Sequence, residues 1–464
     1  MKQILIVGGG ITGLASAFYI QEEIKAKNLP YKIKLVEAED RVGGKIETVH
    51  RDGFTIERGP DSFLSRKKSA VDLVEKLGLS DQLVRNSTGQ AHILVGKKLH
   101  KIPPGSFMGI PTQVQPFLFS GLFSIKGKLR ASLDFVKPKG KVANDQSLGL
   151  FFRRRFGDEL VENLIEPLLS GIYSGDVDEM SLMATFPNFY QLEQKHGSLI
   201  KGLNKTMPKH PKTKQKKPGI FYALKSGFES LVEELEKQLE DVISLNTAVD
   251  HVEKKENGYH VLLSDGTVYK ADAMIITSPH TTLRKMFSQH EALKTVEEIP
   301  TTSVANVALA YDQKAIRKEL DGTGFVVSRN SDFRITACTW THRKWPHTTP
   351  EGKVLLRSYV GGPHDPDAAF LSDDEVVDIV LKDLRKIMKI KGDPNFKVIS
   401  RFKNKMPQYT VGHLERLEAI RDYAATNLPG VFLAGASFEG VGVPDCIEQG
   451  EKAGTQLLQF ISKH

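Results

Sequence analysis

The chain begins with an apolar run of strand length at residues 3–7, and a second apolar run with helix-forming residues follows at 14–20. Three glycines separate the two runs, and Gly8, Gly10 and Gly13 have the spacing Gly-x-Gly-x-x-Gly. This order predicts a strand, a tight turn and the start of a helix, an arrangement that cradles a dinucleotide phosphate. Gly10 leaves room for a pyrophosphate beside the backbone N–H groups, and Gly13 lets the helix pack close to the strand.

The apolar pattern of the remaining chain predicts further strands and helices. Strands are predicted at residues 32–36, 243–249, 259–264, 271–277, 303–310, 324–328, 334–341, 354–360 and 430–436, with hairpins at 48–56 and 93–102. Helices are predicted at residues 71–83, 148–169, 374–388 and 446–460, with another after residue 227. The nearly continuous apolar run at 271–277 is typical of a buried strand in a parallel sheet. A second glycine-rich strand-to-helix turn follows residue 436, so both ends of the chain are predicted to build one nucleotide site.

A chain of 464 residues exceeds what one hydrophobic core usually serves, and we expect an α/β protein with three units. A Rossmann-like nucleotide-binding domain is predicted from residues 1–66, 222–280 and 400–464. A mixed-sheet substrate-binding domain is predicted from residues 67–84, 201–221 and 281–399. Residues 85–200 are predicted to form a helical insert.

An acidic residue and a basic glycine turn extend the predicted nucleotide site. Glu37 follows the second strand and is placed to accept hydrogen bonds from a ribose, and its charge disfavours an NADP-type 2′-phosphate. Two cations and two glycines then follow within five residues: Arg41, Gly43, Gly44 and Lys45. We interpret them as a second phosphate contact in which Arg41 supplies a fork of donors, although a solvated basic turn has the same composition.

Composition excludes few functions. The net charge of +8 and the pI near 9.1 suit an anionic small molecule, an anionic membrane face or nucleic acid. Nucleic acid ranks last, because no zinc-ligand spacing, RNP-like aromatic motif or basic helix accompanies the charge. The two cysteines, Cys338 and Cys446, form no metal or redox pair, so we expect a reducing, cytoplasmic setting and no metal site. No apolar run is long enough to predict a bilayer span, and the first strand leaves no room for a signal peptide.

Residues 103–142 are rich in proline, glycine and aromatic residues. The apolar side chains between residues 107 and 123 fit either the core of a helical subdomain or an apolar surface that touches a membrane or admits an apolar substrate. Arg153, Arg154 and Arg155 are expected on a solvated helix face, and residues 170–176 are expected to form a loop beside a cavity. The lysine-rich stretch at 201–217 is expected to be a mobile surface loop.

The spacing from Glu37 through Arg41 to Gly43 and Gly44 resembles flavoproteins of the amine-oxidase type, which bind FAD. Blocks at residues 59–63, 166–173, 406–409 and 435–450 resemble the protoporphyrinogen/coproporphyrinogen III oxidase family, in its Gram-positive form, over nearly the whole chain. The resemblance implies a non-covalent FAD and a six-electron oxidation of coproporphyrinogen III to coproporphyrin III in haem biosynthesis, with oxygen reduced to hydrogen peroxide. Protoporphyrinogen IX is the alternative substrate, and a flavin amine oxidase is the alternative enzyme. A carotenoid desaturase and a flavin-binding sensor without turnover are more distant alternatives.

The predicted cofactor contacts combine the motifs above with residues that the resemblance implies. They are Gly8, Gly9, Gly10, Ile11, Thr12, Gly13, Glu37, Ala38, Arg41, Gly43, Gly44, Lys45, Gly59, Pro60, Asp61, Ser62, Val249, Phe402, Val441, Gly442 and Val443. The Gly59–Pro60 turn can pass under the flavin ring because no bulky side chain intervenes, and the backbone of Val249 is expected against the adenine. Phe402 stands where related enzymes often have a tryptophan, so it offers a stacking surface without an indole donor.

The predicted substrate contacts are fewer. Arg66, Lys67 and Lys68 are expected to meet propionates, although they also fit an ordinary solvated helix start. The resemblance implies that Ile172 and Tyr173 press on the macrocycle. No side chain is assigned a catalytic role, because flavin N5 accepts the hydride. The expected partners are the porphyrinogen and oxygen, with a peripheral membrane face and the next haem-pathway enzyme as further alternatives, and no aromatic cage for an amine is expected near the terminal motif.

Overall fold

The structure is a computed structural model that describes residues 1–87, 91–141, 144–206, 219–317 and 321–463. In chain order its strands are β1 Lys2–Val7, β2 Tyr31–Val36, β3 Thr48–Arg51, β4 Phe54–Glu57, β5 Phe63–Leu64, β6 Leu83–Arg85, β7 Ala91–Val95, β8 Lys98–Lys101, β9 Ser106–Phe107, β10 Ile110–Pro111, β11 Phe221–Leu224, β12 Ile243–Ser244, β13 Val249–Lys255, β14 Gly258–Leu263, β15 Val268–Ala271, β16 Ala273–Ile276, β17 Thr301–Asp312, β18 Gly324–Val327, β19 Ile335–Trp340, β20 Lys353–Gly361, β21 Phe396–Pro407 and β22 Val431–Leu433. Its helices are α1 Ile11–Lys27, α2 Lys68–Lys76, α3 Val114–Leu118, α4 Ile125–Ser132, α5 Leu148–Phe156, α6 Asp158–Leu160, α7 Glu166–Tyr173, α8 Leu182–Thr185, α9 Pro187–His196, α10 Leu199–Thr206, α11 Glu229–Gln238, α12 His280–Met286, α13 Thr341–Lys344, α14 Asp373–Met388, α15 His413–Asn427 and α16 Val443–Ile461, and a π-helical turn, Val161–Ile165, joins α6 to α7.

A five-stranded parallel sheet in the order β12-β2-β1-β16-β22 contains the first and last strands of the chain. Alternate residues of β1 point to opposite faces of this sheet. Ile4 and Ile6 therefore join a core with α1 and α16, whereas Leu5 and Val7 join a second core on the other face. Burial on both faces explains the nearly continuous apolar runs, and the α/β prediction with both chain ends in one sheet is confirmed.

A seven-stranded mixed sheet in the order β21-β17-β20-β19-β18-β7-β8 lies beside residues 59–62, the predicted flavin contact that we call the cofactor turn. Helix α14 covers one face, and the β3–β4 hairpin packs against the other face through Phe54 and Ile56. This packing delivers residues 57–62 onto the sheet. Strands β7 and β8 lie in the range predicted for the helical insert, and β21 extends into the range predicted for the nucleotide-binding domain, so this sheet crosses both predicted boundaries.

Four predicted elements differ from the observed ones, chiefly where a glycine or a left-handed residue interrupts them. The strand predicted at 243–249 is divided into β12 and β13, with Asn246 at a φ of +51° between them. The helix predicted at 71–83 starts at Lys68 and ends before Gly78, whose φ is +72°, and Leu83–Arg85 is a strand. The helix predicted at 148–169 is divided at Gly157, whose φ is +86°. The loop predicted at 170–176 is wrong in its first half, because α7 continues to Tyr173 before the left-handed Ser174.

The expectation of a solvated arginine face at 153–155 is wrong. Successive helical residues point about 100° apart, so three adjacent arginines cannot share one face. Arg155 is fully buried and pairs with Asp134 and Glu193, whereas Arg153 pairs with Asp178. In the lysine-rich stretch, residues 201–206 belong to α10, and the prediction for 207–217 lies outside the described residues.

The helical insert has its own apolar core, which includes Phe117, Leu122 and Phe123. Phe119, by contrast, is 83% exposed. Part of residues 107–123 therefore belongs to the core of the insert, and the membrane or substrate contact stays a prediction. Within the described ranges, no helix has the length and apolarity needed to cross a bilayer.

Candidate functional site

The two predicted glycine segments form one cradle at the carboxyl end of β1. The N–H of Gly43 donates to the carbonyl of Gly9 at 2.8 Å. A Cβ on Gly13 would lie 1.9 Å from the carbonyl oxygen of Gly8, so only glycine permits this packing of helix on strand. A Cβ on Gly10 would meet no described atom within 4 Å. The cradle is open where the spacing predicts a pyrophosphate, and Ile11 and Thr12 form the buried first turn of α1 beside it.

Glu37 is held beside this cradle by backbone donors. Its Oε2 accepts from the N–H of Gly9 at 2.5 Å, and its Oε1 accepts from the N–H of Glu39 at 2.8 Å. Each carboxylate oxygen can accept a further hydrogen bond, which is what a ribose hydroxyl requires. The carbonyl of Glu37 also accepts from the N–H of Thr247, which brings β13 and the buried Val249 to the same edge, and Ala38 follows Glu37 directly.

The Arg41 guanidinium binds protein atoms. It donates to the carbonyls of Gly44 and Ile46 at 3.0 and 2.5 Å, and it lies 3.2 Å from a carboxylate oxygen of Glu229. This geometry favours a role in shaping the Gly43–Gly44 turn. The phosphate contact expected of Arg41 stays a prediction.

Lys45 fits an anionic or polar ligand group. Burial lowers the pKa of Lys45. Within the described ranges, no hydrogen-bond or ion-pair partner of its ammonium is found. Its carbonyl oxygen packs against Gly59, where a Cβ would lie 1.9 Å away. The Lys45 side chain is half-buried, so its ammonium has room for a bound anionic or polar group.

The predicted turn at residues 59–62 is anchored by a buried ion cluster. Asp61 lies 3.0 Å from the Lys344 ammonium and 3.2 Å from the Arg357 guanidinium, and Trp345 also donates to it. Burial raises the pKa of Asp61, but Lys344 and Arg357 outweigh that effect and the net shift lowers the pKa. Ser62 adds a hydroxyl hydrogen bond to Asp61 at 2.7 Å.

The mixed sheet also holds the backbone of this turn. Arg357 donates from Nη2 to the carbonyl of Gly59 at 2.9 Å, and Asn306 donates to the carbonyl of Arg58 at 3.1 Å. The ring of Phe402 lies 3.8 Å from the position of a Cβ on Gly59, at the end of the turn that Pro60 continues. Arg357 and Lys344 were missed in the sequence. A charged residue inside the apolar strand at 354–360 was the available signal for Arg357.

Three polar atoms around the turn have unsatisfied hydrogen-bonding capacity within the part of the chain that the structure describes. The Nε and Nη1 atoms of Arg357 and the Oδ1 atom of Asn306 are buried without a hydrogen-bond partner among the described residues. The contact of Nη1 with Asp61 has the distance of an ion pair but not the direction of a hydrogen bond. Buried donors without acceptors are rare in folded proteins, so a group from outside the chain fits here.

The predicted substrate residues and the terminal motif meet at the start of α16. Gly442 precedes this helix and Val443 begins it, while Val441 packs against the core that contains Tyr173. The Lys67 ammonium lies 2.5 Å from the carboxylate of Asp445. Ile172 is half-exposed, whereas Arg66 and Lys68 are exposed and have no role in this contact.

A separate acidic cluster on the insert is already neutralised. Glu166, Asp176 and His364 bring possible ligand atoms within 4.8 Å of one another. Arg329 pairs with both carboxylates, at 2.5 and 3.3 Å. A guanidinium between the carboxylates opposes a cation, so we interpret the cluster as an ion-pair network.

Comparisons with known proteins show the family of this chain. The profile of the flavin containing amine oxidoreductase family matches residues 11–458. Coproporphyrinogen III oxidase from Bacillus subtilis is 53% identical over 99% of this chain and 98% of its own. Coproporphyrinogen III oxidase from Staphylococcus aureus is 43% identical over 98% and 99%.

Solved structures give the same fold. The crystal structure of a protein from Exiguobacterium superposes with a TM-score of 0.88 at 39% identity, covering 100% of this chain and 99% of that one. Cyclohexylamine oxidase from Brevibacterium oxydans superposes with a TM-score of 0.70 at 16% identity and 99% coverage of both chains, which shows the fold alone. Because the family profile spans most of the chain and the first two relatives exceed 40% identity, this chain belongs to the flavin containing amine oxidoreductase family, in the branch of the coproporphyrinogen III oxidases.

Proposed function

We propose that this chain is an FAD-dependent oxidase that converts coproporphyrinogen III to coproporphyrin III in haem biosynthesis, with oxygen as acceptor and hydrogen peroxide as product. The observation that carries the proposal is the convergence of Lys67, Tyr173 and residues 441–443 at the start of α16, next to a cradle suited to a dinucleotide. The two relatives named coproporphyrinogen III oxidase support the same substrate.

The chain's own residues would bind and orient, and the flavin would supply the redox chemistry. Gly10 and the N-terminus of α1 would receive the pyrophosphate, Glu37 the ribose, and Lys45 a polar flavin atom. The buried cluster at Asp61 would keep the 59–62 turn rigid under the ring, so that the substrate meets the ring in one geometry. These contacts would hold FAD without a covalent bond. Acid precipitation of the holoenzyme should therefore release all of its FAD.

The deciding experiment is a turnover assay with coproporphyrinogen III and protoporphyrinogen IX side by side, recording porphyrin fluorescence, oxygen uptake and peroxide. We expect higher kcat/KM for coproporphyrinogen III and peroxide in step with oxygen uptake. Higher kcat/KM for protoporphyrinogen IX would favour the alternative substrate. Purified protein that takes up no flavin would overturn the whole proposal.

An amine oxidase is the main rival, although the sequence predicts no aromatic cage for an amine near the terminal motif. Tyr173 and Tyr409 do form an aromatic pair near the terminal motif, with ring centroids 5.5 Å apart. Both rings are buried, and Tyr409 also stacks on His413 and donates to the carbonyl of Ala436. A buried pair does not offer the two open faces of an amine cage. Anaerobic mixing with a primary amine should leave the flavin absorbance unchanged, whereas a porphyrinogen should bleach it.

We place the chain in the cytoplasm with a peripheral membrane contact through α3 and α4. Phe119, Ile125 and Leu129 are 83%, 78% and 66% exposed, and lysines 126 and 128 lie between the last two. Exposed apolar side chains among basic ones suit an anionic lipid surface. Vesicles with anionic lipid should sediment the protein, and a Phe119→Ser, Ile125→Ser variant should stay in the supernatant, whereas Phe370→Ser should still sediment. Equal sedimentation of all three proteins would overturn the contact, and transfer of product to the next haem enzyme stays a prediction.

A further inference from the structure

Asp445 lies between the predicted substrate residue Lys67 and the terminal loop that contains the predicted flavin contacts 441–443. It is the third residue of α16, and its Oδ1 lies 2.5 Å from the ammonium of Lys67, the residue before α2. Ser69 donates its hydroxyl to the carbonyl of Pro444 at 2.7 Å. The Ser69 hydrogen bond holds the start of α2 against the start of α16, and this places the Lys67 side chain beside Asp445.

The glycines of the terminal loop make room for this carboxylate. A Cβ on Gly440 would lie 2.6 Å from Cβ of Asp445, and a Cβ on Gly442 would lie 2.8 Å from its Oδ2. The carboxylate therefore lies against the loop that contains the predicted flavin contacts 441–443. Burial, and after it the charge of Asp445, raises the pKa of Tyr173 to about 12.

The Lys67–Asp445 pair is open to ligands. The side chains are 40% and 32% exposed, and the adjacent Arg66 and Lys68 point outward. A partly exposed ion pair contributes little to stability, so exchanging one partner costs little. A ligand carboxylate that approaches Lys67 meets attraction from the ammonium and repulsion from Asp445 at nearly the same distance.

We propose that Asp445 is a specificity-determining residue of the substrate site, which pairs with Lys67 and yields it to a carboxylate of the tetrapyrrole. This inference rests on the proposed function, because it takes the ligand to be a carboxylated tetrapyrrole. Asp445 neutralises the Lys67 ammonium and opposes single carboxylates, so a ligand must offer several carboxylates, or a large apolar face as well, to bind tightly.

The test is a four-protein cycle that measures binding of coproporphyrin III, the stable product, to the holoenzyme by fluorescence quenching. Asp445→Asn should bind about tenfold more tightly and with a steeper salt dependence, because Lys67 loses its competing partner. Lys67→Gln should bind at least tenfold more weakly, because Asp445 then repels the ligand alone. The double variant should return to within about threefold of the wild type.

Two controls separate charge from folding. Glu451→Gln removes an exposed charge further along α16 and should change nothing, and the tetramethyl ester of coproporphyrin should bind all four proteins of the cycle alike. Flavin content and near-UV circular dichroism should match the wild type in every variant. Unchanged or weaker binding by Asp445→Asn, or a double variant as weak as Lys67→Gln, would overturn this inference alone. A wild type that does not bind coproporphyrin III would overturn the proposed function, and this inference with it.

Discussion

Two buried arginines of this chain illustrate how a structural ion cluster differs from one beside a ligand site. Arg155, in the helical insert, uses every N–H group: Nε donates to Asp134, Nη1 donates to Glu193 and two carbonyls, and Nη2 donates to two further carbonyls. Arg357, beside the cofactor turn, donates only from Nη2 and lies near Asp61 without a second hydrogen bond among the described residues. Both side chains are fully buried.

The difference teaches that the two roles are separated by how many N–H groups of the arginine have an acceptor, and not by its burial. A buried donor without an acceptor costs about 1 to 3 kcal/mol, so an incomplete cluster needs a reason to persist. The cluster around Arg155 is complete within the chain, which is what a purely structural element requires. The cluster at Arg357 borders the turn at 59–62. We infer that a bound cofactor would help to satisfy its free N–H groups.

The largest expected effect is on the complete cluster. Arg155→Leu removes the partner of two buried carboxylates, and we expect the free energy of unfolding to fall by about 3 to 5 kcal/mol. Urea unfolding of the holoenzyme measures this loss. Arg385→Leu, which breaks an exposed pair with Asp393, should cost less than about 1 kcal/mol. Equal losses in the two variants would contradict the structural role of Arg155.

The incomplete cluster should affect cofactor binding. Asp61→Asn keeps the size of the side chain but leaves the charges of Lys344 and Arg357 without a counterion, so the 59–62 turn loses its anchor. We expect the FAD affinity of the apoprotein to fall about 100-fold, or about 2.7 kcal/mol. Fluorescence titration with FAD measures this change, and Asp265→Asn on an exposed hairpin turn is the control. An affinity within threefold of the wild type would contradict the anchoring role.

The contrast also explains which parts could be predicted from sequence. The glycine cradle and Glu37 were readable because their geometry depends on neighbouring residues in the chain. The partners of Asp61 lie almost 300 residues away, and nothing local links them. Asp445 resembles an ordinary acid in the first turn of a helix, so its pairing with Lys67 needed the three-dimensional structure.

The free energy of unfolding should depend on pH through Glu57, the acid two residues before Gly59. Burial raises the pKa of Glu57 to about 7 from 4.5, against hydrogen bonds from Phe228 and Thr48 that lower it. The folded state therefore holds this proton more tightly, and the stabilisation present below pH 4.5 is lost as the pH rises through 7. We expect stability to fall by about 2 kcal/mol between pH 5 and 8, and Glu57→Gln should remove this part of the slope. Urea unfolding across that range tests the sign, and parallel curves for the two proteins would contradict it.

The smallest effect should come from a substitution that keeps the charge of the incomplete cluster and changes its shape. Arg357→Lys leaves a cation for Asp61, but an ammonium cannot reproduce the planar fork that also reaches the carbonyl of Gly59. We expect FAD affinity to fall about tenfold, or about 1.4 kcal/mol, with little change in unfolding. Arg334→Lys, directly before β19 and with an exposed pair to Asp365, should leave both unchanged. If Arg357→Lys lowers stability as much as it lowers FAD affinity, the cluster is structural in the same sense as that of Arg155, and the contrast between the two arginines fails.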